Sequence, residues 1–168
     1  SCDPNIAFNL DGRRLTELIA EPTIYYPTPA TLASNPSATT RTTPAAGYEP
    51  AFRPASFRIA TGTRLKKLSL KGCSTLSSTE RAPLNLSALT LCEEIDLRQT
   101  SIGAVTVPQT ASLTTMRLPA AITALSLTSQ PSLETLSIES GSLLASLTVT
   151  GSPNLNVQQM LRNIYDER

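Results

Sequence analysis

The chain contains no histidine and no tryptophan, and aromatic residues make up only 4% of it. Without histidine the usual general base and the commonest neutral metal ligand are both missing, so any catalysis falls to carboxylates, lysine or a bound metal. Charge is sparse as well: 14 Lys plus Arg stand against 13 Asp plus Glu, a formal net charge of +1. A nucleic-acid groove needs a clustered basic excess, and this balance does not supply one, so no nucleic-acid partner is expected. Apolar runs stop after a few residues, far short of the ~20 that span a bilayer, so no membrane insertion is expected. The three cysteines, Cys2, Cys73 and Cys92, form no CxxC pair, and with no histidine beside them neither a zinc site nor a Cys/His nucleophile is expected. At most one disulfide is available, and the spacing leaves its pairing open. A glycine-rich phosphate loop and a calcium-binding nonapeptide are also missing, so no cofactor is expected.

What the chain has in excess is small hydroxyl residues and leucine: 19 Ser and 23 Thr, together 42 of 168 residues, beside 24 Leu. From residue 57 onward these fall into the pattern apolar-x-x-apolar-x-apolar. It reads as Leu65-Leu68-Leu70, Cys92-Ile95-Leu97, Ile102-Val105-Val107, Leu113-Met116-Leu118, Ile122-Leu125-Leu127, Leu133-Leu136-Ile138 and Leu144-Leu147-Val149. Phe57-Arg58-Ile59 and Leu84-Asn85-Leu86 keep its last three positions. The central apolar residues are separated by 11, 16, 11, 10, 11, 9, 11 and 11. The single long step matches an insertion around Ser77–Arg81.

A period of ten or eleven is half of the ~20–29 residues that a leucine-rich coil takes, so alternate copies should lie one coil apart. The expected fold is therefore mainly β, a solenoid with two short parallel strands in each coil of about 21 residues. Leu68, Ile95, Met116 and Leu136 should stack in one sheet, and Phe57, Leu84, Val105, Leu125 and Leu147 in the other. Alternate side chains of a strand share a face, so the apolar ribs should point inward and the residues between them outward.

The outward residues differ between the two sets. In the first set Lys66, Lys67, Glu93, Glu94, Asp96 and Arg117 make a charged face. There Lys66 and Lys67 should pair with Glu93 and Glu94, and Asp96 with Arg117. In the second set Asn85, Thr106, Thr123, Ser126 and Thr148 make a face that is nearly uncharged and small. Such a surface allows the close approach of another chain or domain and is the candidate interaction face. Glu93 and Glu94 are adjacent on one strand and diverge, while Glu94 and Asp96 lie beside cations, the arrangement of an exposed ion-pair network rather than a catalytic dyad. No enzymatic activity is expected.

The ends do not follow the repeat. Residues 1–56 read as a hairpin, with strands at Ile6–Leu10 and Leu15–Ile19 around Asp11-Gly12, followed by a proline-rich linker or arm carrying Tyr25, Tyr26, Tyr48 and Phe52. Residues 57–155 are the solenoid. In residues 156–168 Val157, Met160, Leu161 and Ile164 fall at helical spacing, which predicts a helix capping the open core. The opening Ser1-Cys2-Asp3-Pro4 reads like the interior of a longer protein.

The run Leu65-Lys66-Lys67-Leu68-Ser69-Leu70-Lys71-Gly72-Cys73 resembles the leucine-rich-repeat consensus LxxLxLxxN/C, over about residues 57–155. Thr100, Gln130 and Gly141 depart from it, standing where Asn or Cys is usual. Glu94–Thr100, Val105–Pro108, Arg117–Ile122 and Leu133–Glu139 are similar to segments of large virion proteins, tail or portal-proximal, from tailed phages of gut Bacteroides, including crAss-like phages. That resemblance implies a structural module located in the virion, with neighbouring virion subunits or a host surface protein or glycan as partner. Surface leucine-rich-repeat lipoproteins of the same bacteria are the competing resemblance, and they imply an adhesin at the bacterial cell surface that binds a glycan or protein.

Overall fold

The computed structural model describes residues 7–10, 15–59 and 64–156, together with the single positions 158 and 162. In chain order the elements are β1 (Ala7–Leu10), β2 (Glu17–Ile19), β3 (Tyr25–Pro27), α1 (Pro29–Ser34), β4 (Tyr48–Pro50), β5 (Ser56–Ile59), β6 (Lys67–Ser69), β7 (Ser77–Ser78), β8 (Leu84–Asn85), β9 (Glu94–Asp96), β10 (Ser101–Ile102), β11 (Val105–Thr106), β12 (Thr115–Leu118), β13 (Ala124–Thr128), β14 (Thr135–Ile138) and β15 (Ser146–Thr150). The chain winds as a parallel β solenoid with very little helix.

One wall is a five-stranded parallel sheet in the order β14-β12-β9-β6-β2. Its central row runs Leu18, Leu68, Ile95, Met116, Leu136 in exact Cα register. The opposite wall is built from the shorter parallel pairs β1-β5, β8-β11 and β13-β15, which align Leu84 with Val105 and Leu125 with Leu147. Backbone bonds such as Thr123 N to Gly103 O (3.0 Å) carry the stacking from one pair to the next. A fourth, very short parallel pair, β7 with β10, supports a corner between the walls.

The repeated apolar positions explain this winding. Leu65, Leu68, Leu70, Ile95, Leu97, Leu113, Met116 and Leu118 are completely buried and form one continuous core with Leu86, Ile102, Ile122, Leu127 and Leu133. At roughly 1.5–3 kcal/mol for each fully buried side chain, these ribs are the main source of stability. On the second wall Phe57, Ile59, Leu84, Leu86, Leu125 and Leu127 are buried as well, whereas Val105, Val107, Leu144, Leu147 and Val149, on and beside β11 and β15, pack against the core but stay half-buried.

Polar side chains at the corner after the second wall, Thr110 and Gln130 buried and Asn154 exposed, reach one coil back. Thr110 Oγ1 donates to Thr90 O (2.6 Å), Gln130 Nε2 to Pro108 O (2.6 Å), and Asn154 Nδ2 to Pro131 O (3.0 Å). A ladder of side chains to carbonyls thus exists, made by Thr, Gln and Asn in turn. Its buried members, Thr110 and Gln130, are thereby satisfied within the fold.

The N-terminal part differs from the expected hairpin and extended linker. Strands β1 and β2 do not pair with each other: β1 lies parallel to β5 and β2 parallel to β6. Phe8 aligns with Phe57 and Leu18 with Leu68, so the segment is a further coil of the solenoid. Burying Leu18 on the Leu68 row outweighs the local turn preference of Asp11-Gly12, which lies outside the described residues. Residues 20–55 then leave the coil as an excursion. Within it β3 and β4 pair antiparallel, and α1 is capped by Thr28, whose Oγ1 accepts from Thr31 N (3.3 Å). The expected capping helix over 156–168 falls outside the described residues apart from positions 156, 158 and 162.

Candidate functional site

On the charged wall the strand register places Glu17, Lys67 and Glu94 in one row and Ser69, Asp96 and Arg117 in the next. Lys67 Nζ stands 3.8 Å from both Glu17 Oε1 and Glu94 Oε2, and Lys66 Nζ 3.8 Å from Glu93 Oε1. All of these side chains are between 42% and 59% exposed, so each pair contributes about 0–1 kcal/mol. They neutralise like-charge repulsion along the rows and favour one register over its neighbours.

The Asp96 carboxylate departs from the expected pairing with Arg117. Arg98, two residues along on the same face, donates to it twice, Nε to Oδ1 (2.9 Å) and Nη2 to Oδ2 (2.6 Å), while Arg98 N also donates to Oδ1 (3.2 Å). The planar guanidinium matches both carboxylate oxygens, and the backbone bond fixes the turn, so the local partner wins over the cross-strand one. Burial raises the Asp96 pKa, but the Arg98 hydrogen bonds and charge outweigh it, with a smaller contribution from Arg117, and the carboxyl is held below its ordinary value.

The neutral wall carries Asn85 beside Thr106 and Ser126 beside Thr148, all four exposed. Asn85 Oδ1 is held within its own turn, accepting from Ser87 N (3.0 Å) and Ser87 Oγ (2.6 Å). Thr123 is half-buried, and its hydroxyl donates to Gly103 O (3.2 Å), so it braces the stacking of coils rather than facing outward. The face available to a partner is therefore Thr106, Ser126 and Thr148, with Thr128, Ser146 and Thr150 beside them on β13 and β15.

Reactive groups are few. Cys73 and Cys92 are free and buried, with Cys73 Sγ against Ala20 O (3.0 Å) and Cys92 Sγ against Glu94 O (3.2 Å). Burial pushes both thiols up to about 12, with nearby Glu21 adding to the rise at Cys73 and Glu93 at Cys92. Neither thiol supplies a thiolate near neutral pH. Cys2 lies outside the described residues. Among the described residues no three His, Cys, Asp or Glu side chains converge on a point that would hold a metal ion. The same residues contain no helix long and apolar enough to cross a membrane.

No family model, curated protein or solved structure matches this chain.

One cluster escaped the sequence reading. Excursion residues Tyr25, Pro44, Tyr48 and Pro50 meet the turn residues Ser74 and Gln99 around a cleft of about 200 Å³. The tyrosines stood out as the main aromatics, but their partners come from turns of two different coils. The one local signal was Gln99, which occupies the position that Gly72 fills one coil earlier.

Proposed function

We propose that the chain is a non-enzymatic docking module of the leucine-rich-repeat type, whose neutral wall packs against another protein. In the setting implied by the sequence resemblance, that partner is a neighbouring subunit of a tailed-phage virion. One contrast carries the reading. Lys66 and Lys67 on the charged wall already hold Glu93, Glu17 and Glu94, whereas the wall opposite offers exposed hydroxyls of Thr106, Ser126 and Thr148 on rigid strands with no long charged side chain among them. A partner meets little desolvation and little side-chain ordering there. Raised thiol pKa values and a carboxylate neutralised by arginine suit a scaffold rather than a catalyst.

The test has two arms. Peptide mass spectrometry on gradient-purified particles and on outer membranes of a gut Bacteroides culture should find the chain in the particles; recovery in the membrane fraction alone overturns the virion setting. Thr106→Lys with Ser126→Lys in the parent protein should reduce its incorporation into particles while leaving circular dichroism and the thermal melt unchanged. Undiminished incorporation overturns the docking role of the wall.

A further inference from the structure

The cleft between the excursion and the coil turns has the features of a small-ligand site. Its walls are set by contacts that do not depend on a ligand. Tyr25 is buried and donates its hydroxyl to Pro22 O (3.3 Å), and its backbone exchanges two hydrogen bonds with Arg41 (2.8 and 2.9 Å). The Arg41 guanidinium in turn lies 5.3 Å from the centroid of the Tyr48 ring. The Tyr25 ring is thereby fixed, and the half-buried Tyr48 ring is covered on one face by the exposed Arg41, which limits the ordering that binding requires.

The floor is formed by turns of successive coils. Gln99 has φ 58°, a left-handed conformation that glycine adopts freely, and Gly72 adopts it one coil earlier with φ 86°. A side chain kept at such a position carries a cost that a glycine would avoid, which points to a use for the amide. Gln99 and Ser74 engage their surroundings through backbone atoms: Gln99 N donates to Glu139 Oε2 (3.0 Å), and Ser74 O accepts from Ser101 Oγ (2.7 Å). Both residues are exposed, and among the described residues no hydrogen bond uses the Gln99 amide or the Ser74 hydroxyl, so each is open to an incoming ligand. The cleft therefore presents one planar amide, which both donates and accepts, and a hydroxyl, beside tyrosine and proline rings, with no ionised side chain in its lining.

We infer that this cleft binds a single neutral pyranose ring, as a free sugar or as the terminal unit of a glycan. A pyranose has a C–H face that packs on aromatic and proline rings, and a rim of adjacent hydroxyls that pairs with an amide and a hydroxyl. The volume of about 200 Å³ is below the ~300–1,000 Å³ of drug-sized pockets and fits one ring rather than an extended peptide. An anion would find no ionised partner in the lining. This site shares no residue with the neutral wall.

Saturation-transfer NMR on the full chain tests the inference with methyl glycosides of glucose, galactose, mannose and N-acetylglucosamine, with a proline-rich decapeptide as the competing class. At least one glycoside should show saturable binding, weakened tenfold or more by Gln99→Gly and by Ser74→Ala. Gln99→Gly keeps the left-handed backbone and relieves its cost while removing the amide, so its circular dichroism melt should match or exceed that of the parent. Absence of saturable binding by every glycoside overturns the inference, as does binding that persists in both variants or binding of the peptide alone.

Discussion

Replacing Leu68 by alanine tests the rib assignment most directly. Leu68 is completely buried, with Leu18 and Ile95 on either side of it in register. Removing three carbons forfeits about 2.4 kcal/mol at ~0.8 kcal/mol per carbon. The row is held on both sides by strand pairing and relaxes little into the gap, so a cavity cost brings the total to about 3–4 kcal/mol, inside the ~2–5 range for such changes. Leu147 occupies the matching rib position on the opposite wall but is half-buried in β15. The same truncation there removes roughly half the buried surface and opens no closed cavity, for about 1 kcal/mol. Urea titrations at neutral pH followed by far-ultraviolet circular dichroism measure both differences. For Leu68→Ala the melting temperature should fall by about 6–16 °C, taking ~2–4 °C per kcal/mol at this chain length. A cost below about 1 kcal/mol for Leu68→Ala, or equal costs at the two sites, refutes the placement of Leu68 in the closed core and of Leu147 at its open margin.

Two further predictions follow from the titrating groups. The folded pKa of Asp96 lies below its ordinary 3.8, so the stability it contributes is complete above that value and is lost as the pH falls from there through the lowered folded pKa. Asp96→Asn should therefore be destabilising at pH 7, with the difference from the parent shrinking in urea titrations below pH 3.8; a difference independent of pH contradicts the Arg98 pairing. Cys73 and Cys92, raised from 9.0 to about 12, contribute stability that is complete below pH 9.0 and declines as the pH rises toward 12. In a Cys2→Ser background a disulfide reagent at pH 8 should label neither thiol until denaturant is added. Rapid labelling of the native protein contradicts their burial.

The period of the apolar ribs was legible because each coil repeats the same requirement, an inward Leu, Ile or Val flanked by polar neighbours. It failed at the first coil for a definite reason. Phe8 and Leu18 keep the ten-residue step, but residues 20–55 separate them from Phe57, and Asp11-Gly12 offered a plausible local turn. Lys67 beside Glu94 was readable because adjacent rungs place them together. The partner of Asp96 was not, since Arg98 and Arg117 are both within reach of it in sequence space and side-chain geometry decides between them. The cleft was hidden because residues 25, 48, 74 and 99 meet only when the excursion folds back onto two turns.

The anchoring of the excursion separates two demands that most folds combine. Ala20 N donates to Ser69 O (2.9 Å), and Thr75 Oγ1 donates to Pro54 O (2.9 Å), so departing and returning chain are fastened to the same stretch of one coil. Once the ends are fixed in this way, the entropy of closing the loop grows only with the logarithm of its length, about 0.6 kcal/mol per doubling. Between Ala20 and Phe52, which pack against the core, the excursion can be lengthened or shortened at little cost to the ribs. Sequence drift in the middle of the excursion can thus remodel its surface while the wound core keeps its register, an arrangement that makes the solenoid a chassis for a variable loop.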